Sequence, residues 1–151
     1  ALSSDVHLIL GNISQGEYST ETADGRGKSP NECLSRLART VCADSDLLDE
    51  IELKKMAHSI YYEQVKKIEN SLKQVWSQSI FKKKSKPKFP IVTTGIGGRI
   101  LGKKAASKLD FRMYSDIGEL LGIKNSQVIA AISVALLVAE SRGEKLVWPT
   151  F

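Results

Sequence analysis

Residues 90–109, PIVTTGIGGRILGKKAASKL, read as a buried strand, a glycine turn and the start of a helix. Ile91, Val92, Thr93 and Thr94 are all β-branched, the residue type that packs well on a pleated surface, and Pro90 suits a strand's first position, where a missing N–H is harmless. Gly95, Gly97 and Gly98 come next. Without Cβ atoms they let the backbone turn through positive φ and approach a ligand closely, while the unpaired amides of the following helix offer donors to an anion. A nucleotide or phosphate is the candidate ligand. The competing reading is a strand-to-helix turn that uses glycine for geometry alone.

Outward from this unit, the chain has 151 residues, 42% of them hydrophobic, enough for one core without a disulfide or metal staple. No apolar run is long enough to span a bilayer, and Ala1-Leu2-Ser3-Ser4-Asp5 lacks the parts of a secretory signal, so a soluble chain without a membrane partner is expected. Cys33 and Cys42 lie nine residues apart on one expected helix and face roughly opposite sides, which predicts no bridge and a reduced, cytoplasmic setting. His7 and His58 form no ligand pattern, so no metal site is expected from this chain alone. The net charge of +5 is local: without Lys82, Lys83, Lys84, Lys86 and Lys88 the chain carries 17 charges of each sign. A lysine cluster lacking Arg and aromatic residues, broken by Pro87, predicts a solvated connection and not a nucleic-acid interface.

Val6 to Leu10 reads as a short strand and Gly11 to Lys28 as a polar loop. Ser29-Pro30-Asn31-Glu32 is a capping box, with Pro30 at the first helical position, so a helix starts here with Leu34, Leu37, Ala38 and Val41 as its apolar stripe. Apolar residues from Leu53 to Trp76 keep a helical period, which predicts one long amphipathic helix from about Asp49 to Ile80. A second strand is expected near Phe111 to Tyr114, a short helix from Asp116, and a final helix from Ser126 to Ser141. That helix is apolar nearly all round, which predicts burial against a sheet holding both Val6–Leu10 and Ile91–Thr94, with Gly143 as its stop. Three strands are too few to bury it. The reading is therefore α/β and helix-rich, one lobe over residues 1–151 with a helical insert at about 29–81, completed by strands of a longer chain.

The polar loop concentrates Asp24, Arg26 and Lys28 just before a helix N-terminus, where cations and free amides favour an anion and Asp24 can orient Arg26 or help hold a metal. A solvated turn is the alternative. Gly27-Lys28-Ser29 is not a P-loop, because Thr22 stands where GxxxxGK[ST] needs glycine. Gly95-Ile96-Gly97 with Asp116 some 20 residues on evokes the dinucleotide fold. However, Ile100 occupies the third glycine position and only 35 residues follow Asp116.

Four ordered blocks carry a family likeness: TADGRGKS at 22–29, RLARTVCAD at 36–44, TGIGG at 94–98 and SVALLVAE at 133–140. Together they resemble the C-terminal part of hydantoinase A and oxoprolinase-like proteins, nearest the archaeal branch linked to methanofuran and one-carbon metabolism. That family belongs to the actin, sugar-kinase and Hsp70 superfamily, so the resemblance implies a ribonuclease-H-like lobe and an adenosine-type glycine motif at Gly95, Gly97 and Gly98. It implies part of a transferase that displaces diphosphate by joining an aminomethylfuran diphosphate to γ-glutamyltyramine. An ATP-dependent hydrolase or kinase of the same superfamily, or a non-catalytic nucleotide-binding or interaction domain, stays open. The resemblance implies that the superfamily's Asp-Ile-Gly-type phosphate loops lie outside this chain, so the implied Mg²⁺, and ATP where it is used, would be held mainly there. The catalytic residues would lie upstream of Ala1. The implied partners are a small-molecule substrate and the remainder of the same polypeptide, with a homo-oligomer left open.

Overall fold

Val6 to Leu10 fold as a helix: α1 spans Ser3–Ile9 in the computed structural model, which describes residues 1–44, 46–78, 91–109, 114–120, 122 and 128–144. The expected strand is corrected by what surrounds it. Asp5 accepts the Leu2 N–H at 2.7 Å, and Gly11, at φ +68°, closes the other end with its N–H on the Leu8 carbonyl. Val6 sits in a core with Leu37, Ala38, Leu53 and Ala57, flanked by Ile9 and Leu10. A helix places these α1 residues on one side, whereas a strand would alternate them.

Helix α2, Pro30–Ala38, begins at the expected capping box. Glu32 accepts from the Ser29 N–H at 2.9 Å and from its hydroxyl at 2.7 Å, while the Glu32 N–H points back to Ser29 Oγ. The helix ends earlier than the stripe suggested. A 3₁₀ turn covers Arg39–Val41, and Cys42 adopts a left-handed φ of 57°, so Val41 is exposed. Cys33 is buried, Cys42 exposed, and both are free thiols. Helix α3, Glu50–Gln78, matches the expected long amphipathic helix, with Leu53, Ala57 and Val65 buried. Its expected end at Ile80 lies outside the described residues, as do Pro90 and the lysine cluster at 82–88.

The chain divides into two units, 1–64 and 65–151, and the division falls within α3. In the second unit β1, Ile91–Thr93, pairs in parallel with β2, Tyr114–Asp116, so that Ile91, Val92 and Thr93 face Tyr114, Ser115 and Asp116 in turn. After β1 come α4 (Gly95–Gly97), a π-helical stretch (Gly98–Gly102) and α5 (Lys103–Lys108). After β2 come α6 (Ile117–Leu120) and α7 (Ile129–Ser141). The described residues are thus mostly helical, and their α/β character rests on this two-stranded sheet. No sheet joins Val6–Leu10 to Ile91–Thr94, because the former is α1.

The last helix corrects a second expectation. Ile129 is buried, but Val134, Leu137 and Val138 are 61%, 64% and 45% exposed. Two three-residue strands offer too little surface to cover a helix that is apolar on every side. Gly143, at φ +82°, ends it as expected. Among the described residues no helix is long and apolar enough to cross a membrane.

Candidate functional site

In the second unit the glycine turn follows β1 directly. Thr94 is extended, Gly95 reverses the chain at φ +77°, and Gly97 and Gly98 are already right-handed helical, at φ −64° and −57°. Positive φ is therefore needed at Gly95 and not, as the sequence suggested, at all three. The other glycines serve different ends. A Cβ on Gly98 would lie 2.9 Å from Thr93 Cβ, and one on Gly102 would lie 2.8 Å from Thr93 Cγ2, so these two let the π-helical stretch press on the strand. A Cβ on Gly97 would meet nothing within 4 Å. The same is true of Gly95, so both are open toward a ligand, but only Gly97 is open with a φ that any residue adopts. A π-helical turn is a rare form that recurs at functional sites.

Polar side chains gather at the same end of the sheet. Thr93 and Asp116 are the paired last residues of the two strands, and Thr93 Oγ1 lies 3.3 Å from Asp116 Oδ2. Tyr114 brings its hydroxyl within 2.7 Å of Thr93 Oγ1 and 3.2 Å of the Gly98 carbonyl oxygen. Asp116 Oδ1 accepts the Gly118 N–H at 2.9 Å and the Glu119 N–H at 3.3 Å. The Lys103 ammonium stands 5.9 Å from the centre of the Tyr114 ring. Sequence reasoning missed Thr93 and Tyr114, weighed Asp116 only for its spacing from the glycines, and overlooked that Asp116-Ile117-Gly118 is itself an Asp-Ile-Gly tripeptide. The available signal was the run of two hydroxyl threonines entering a glycine turn.

In the first unit Asp24, Arg26 and Lys28 share one loop but are differently engaged. Asp24 accepts from Arg36 at 3.1 Å, from Arg39 at 3.0 Å and from the Arg26 N–H at 3.2 Å. Lys28 donates to the Tyr18 carbonyl at 2.6 Å, and its ammonium lies 5.0 Å from the Tyr18 ring centre. The Arg26 side chain is 65% exposed, with its Nε 4.0 Å from Asp24. Arg26 is thus the cation best placed to meet an anion in solution.

Beneath the loop lies a buried pair that the sequence did not disclose. Arg36 and Asp5 are 2% and 0% exposed, joined by Nε at 2.9 Å and Nη2 at 2.7 Å to one carboxylate oxygen. Arg36 also reaches the Gly27 carbonyl at 3.0 Å, and Tyr18 donates to Asp5 at 3.1 Å. Burial pushes the Asp5 carboxyl up, but Arg36, the Leu2 N–H and the Cys33 thiol outweigh it and hold the carboxyl below its usual value. Burial, the bond to Asp5 and the charge of Asp5 push Cys33 up to about 11, so it is an inert thiol and not a nucleophile at neutral pH. Burial and Asp5 push the Tyr18 phenol up to about 12.

These shifts predict a stability plateau. Asp5, with its folded value depressed, contributes stability above its unfolded value near 4 that is lost as pH falls through the folded value. Cys33, with its folded value raised, loses stability from about pH 9, where the unfolded thiol ionises, up to about 11. Burial also holds the His7 imidazole below its usual value, which costs stability as pH falls below about 6.5, so melting temperature should be flat only between about pH 7 and 8 and fall on both sides. Cys33→Ala should shallow the alkaline limb, and an unchanged limb would show that Cys33 does not titrate late.

The chain matches the hydantoinase/oxoprolinase family over residues 1–143. It belongs to that family. This member of the hydantoinase/oxoprolinase family is 32% identical over 138 residues, 91% of its own length and 38% of the relative's, to a protein of Methanocaldococcus jannaschii. It is 29% identical over 150 residues, 97% of its length and 64% of the relative's, to one of Methanococcus vannielii. Both are (4-{4-[2-(gamma-L-glutamylamino)ethyl]phenoxymethyl}furan-2-yl)methanamine synthases. The chain thus spans less than two thirds of either relative.

Proposed function

We propose that this chain is part of an ether-forming transferase of methanofuran biosynthesis, joining an aminomethylfuran diphosphate to γ-glutamyltyramine. The observation that carries the reading is its similarity, over 91% of its length, to the M. jannaschii synthase. The product named for that relative holds a phenoxymethyl group on a furan, which is the ether such a reaction forms. In the proposed step the phenol oxygen bonds to the furan methylene carbon and the bond from that carbon to the diphosphate oxygen breaks. The electron pair leaves on diphosphate and the phenol proton is released to water.

Within this reading the chain's own residues bind and orient. The turn at Gly95, with an open position at Gly97, receives the diphosphate against the backbone, and Arg26 serves as a separate anion contact. Among the described residues no three His, Cys, Asp or Glu side chains come together to hold one, and Asp24 and Asp116 are engaged in hydrogen bonds. On this reading Mg²⁺ would be held by the rest of the polypeptide.

The family match over residues 1–143 also favours a second reading, an ATP-dependent hydrolase of the hydantoinase/oxoprolinase type. One assay separates them. The full-length protein, given both substrates without ATP, should form the ether and release one diphosphate per ether. ATP consumption without ether formation would establish the second reading instead. Arg26→Ala should weaken inorganic diphosphate binding about tenfold at low salt and less at high salt, where an exposed charge is screened. Lys28→Ala, which frees the Tyr18 carbonyl, should lower melting temperature more than affinity. A change under about twofold for Arg26→Ala at low salt would reduce the loop to its structural role.

A further inference from the structure

Three hydrogen-bond contacts at the end of the sheet compete for two protons. Thr93 Oγ1 reaches Asp116 Oδ2 at 3.3 Å and the Tyr114 hydroxyl at 2.7 Å, and that hydroxyl reaches the Gly98 carbonyl at 3.2 Å. Thr93 and Tyr114 each own one hydroxyl proton, while a carboxylate and a carbonyl can only accept. When Thr93 donates to Asp116, its oxygen is left to accept from Tyr114 and the tyrosine proton is divided between Thr93 and Gly98. When Thr93 donates to Tyr114 instead, the tyrosine proton goes wholly to Gly98 and Asp116 loses the threonine. Asp116 and the Gly98 carbonyl are therefore rivals, linked through two hydroxyls.

The Gly98 carbonyl accepts the Lys103 N–H of the π-helical stretch with one lone pair and the Tyr114 hydroxyl with the other, so the tyrosine ties this main-chain bond to the sheet. Gly98 is packed against Thr93 so closely that a Cβ would lie 2.9 Å from Thr93 Cβ, which brings its carbonyl within reach of a side chain on the second strand. The next glycine back, Gly97, is an open position of the turn. We propose that Tyr114 is a positioning residue for the glycine turn, acting on the Gly98 carbonyl through a hydroxyl relay in which Thr93 and Asp116 set how firmly it holds. This rests on the reading of the turn as a diphosphate site, in that the orientation of the 98–99 peptide next to Gly97 decides how well the turn is formed for an anion.

The relay predicts that variants of its two ends diverge. Tyr114→Phe keeps the ring and removes the side-chain proton that reaches the Gly98 carbonyl, leaving the Lys103 N–H as its donor. Asp116→Asn keeps an oxygen for the Gly118 and Glu119 amides and turns the other atom into a donor to Thr93. Threonine then donates to tyrosine, and tyrosine wholly to Gly98. In the full-length protein, titrated with inorganic diphosphate, Tyr114→Phe should weaken binding about fivefold, and Asp116→Asn should leave it unchanged or tighten it. Hydrogen exchange over residues 94–102 should rise in the first variant and not in the second, with melting temperatures close to that of the unaltered protein. Equal weakening by both variants, or a Tyr114→Phe protein with unchanged affinity and unchanged exchange, would overturn the relay. Failure of the unaltered protein to bind diphosphate would overturn the ligand reading alone, since the exchange comparison still decides whether Tyr114 holds the turn.

Discussion

Arg36→Met should lower the unfolding free energy by about 3–5 kcal/mol, the range for breaking a buried ion pair by removing one partner. The methionine keeps the length and much of the apolar stem of the arginine, so the loss is chiefly electrostatic. Asp5, with no exposed surface, would keep the Leu2 N–H and the Tyr18 hydroxyl but lose both guanidinium bonds to its Oδ1. An ionised carboxylate in that position is costly, and the chain must either bind a proton there or open. The loop loses its anchors as well, because Arg36 also holds Asp24 and the Gly27 carbonyl. Denaturant unfolding should show a lower midpoint at unchanged slope, and limited proteolysis should speed up at residues 22–28. The double variant Asp5→Leu with Arg36→Met should recover much of the loss, since apolar replacements of a buried pair are often neutral. A single-variant cost below about 1 kcal/mol, the scale of an exposed pair, would mean that water reaches the site.

This pair also marks where a sequence stops being legible. The capping box at Ser29 could be read because both partners lie within four residues and their bonds close locally. The period of α3 was readable because 29 residues repeat one pattern. Val6 to Leu10 is five residues long, too short for periodicity to separate helix from strand, and the decisive contacts come from Leu37, Leu53 and Ala57 far along the chain. A local signal was nonetheless present. Gly11 stands where a helix stop belongs, directly after the run, and Asp5 stands in its first turn. Arg36 lay between Cys33 and Leu37 on the buried stripe of α2, a charge where the pattern wants an apolar residue, which predicts a buried partner without naming it. For α7 the composition was read correctly as apolar all round, but composition cannot say what is present to cover it. The candidate site was half visible for the same reason. Glycines announce a turn locally, whereas the meeting of Thr93 with Tyr114 and Asp116 depends on strand register, which only the folded pair sets.

Substitutions at Gly97 and Gly98, adjacent residues of one motif, should part company. Gly98→Val places its Cβ 2.9 Å from Thr93 Cβ, 3.1 Å from Thr93 Oγ1 and 3.4 Å from the Thr93 carbonyl carbon. The threonine belongs to β1 and shares its hydroxyl with Tyr114 and Asp116, so it cannot swing aside freely. Overpacking of this kind costs about 1–3 kcal/mol, and the contact with strand backbone puts Gly98→Val toward the upper end, about 3 kcal/mol. Melting temperature and diphosphate affinity should fall together, because the π-helical stretch must lift off the strand. Gly97→Val meets no atom within 4 Å and leaves a φ of −64° that any residue adopts, so it should cost little or no stability, valine being no worse a helix former than glycine. If the turn receives a ligand, the valine branches still stand where that ligand approaches, and affinity should drop tenfold or more without a matching fall in melting temperature. The ratio between the two effects is the informative quantity. Loss of affinity in proportion to stability at both positions would make the glycines a packing device, whereas loss at Gly97 without destabilisation requires something other than protein to occupy the space beside it.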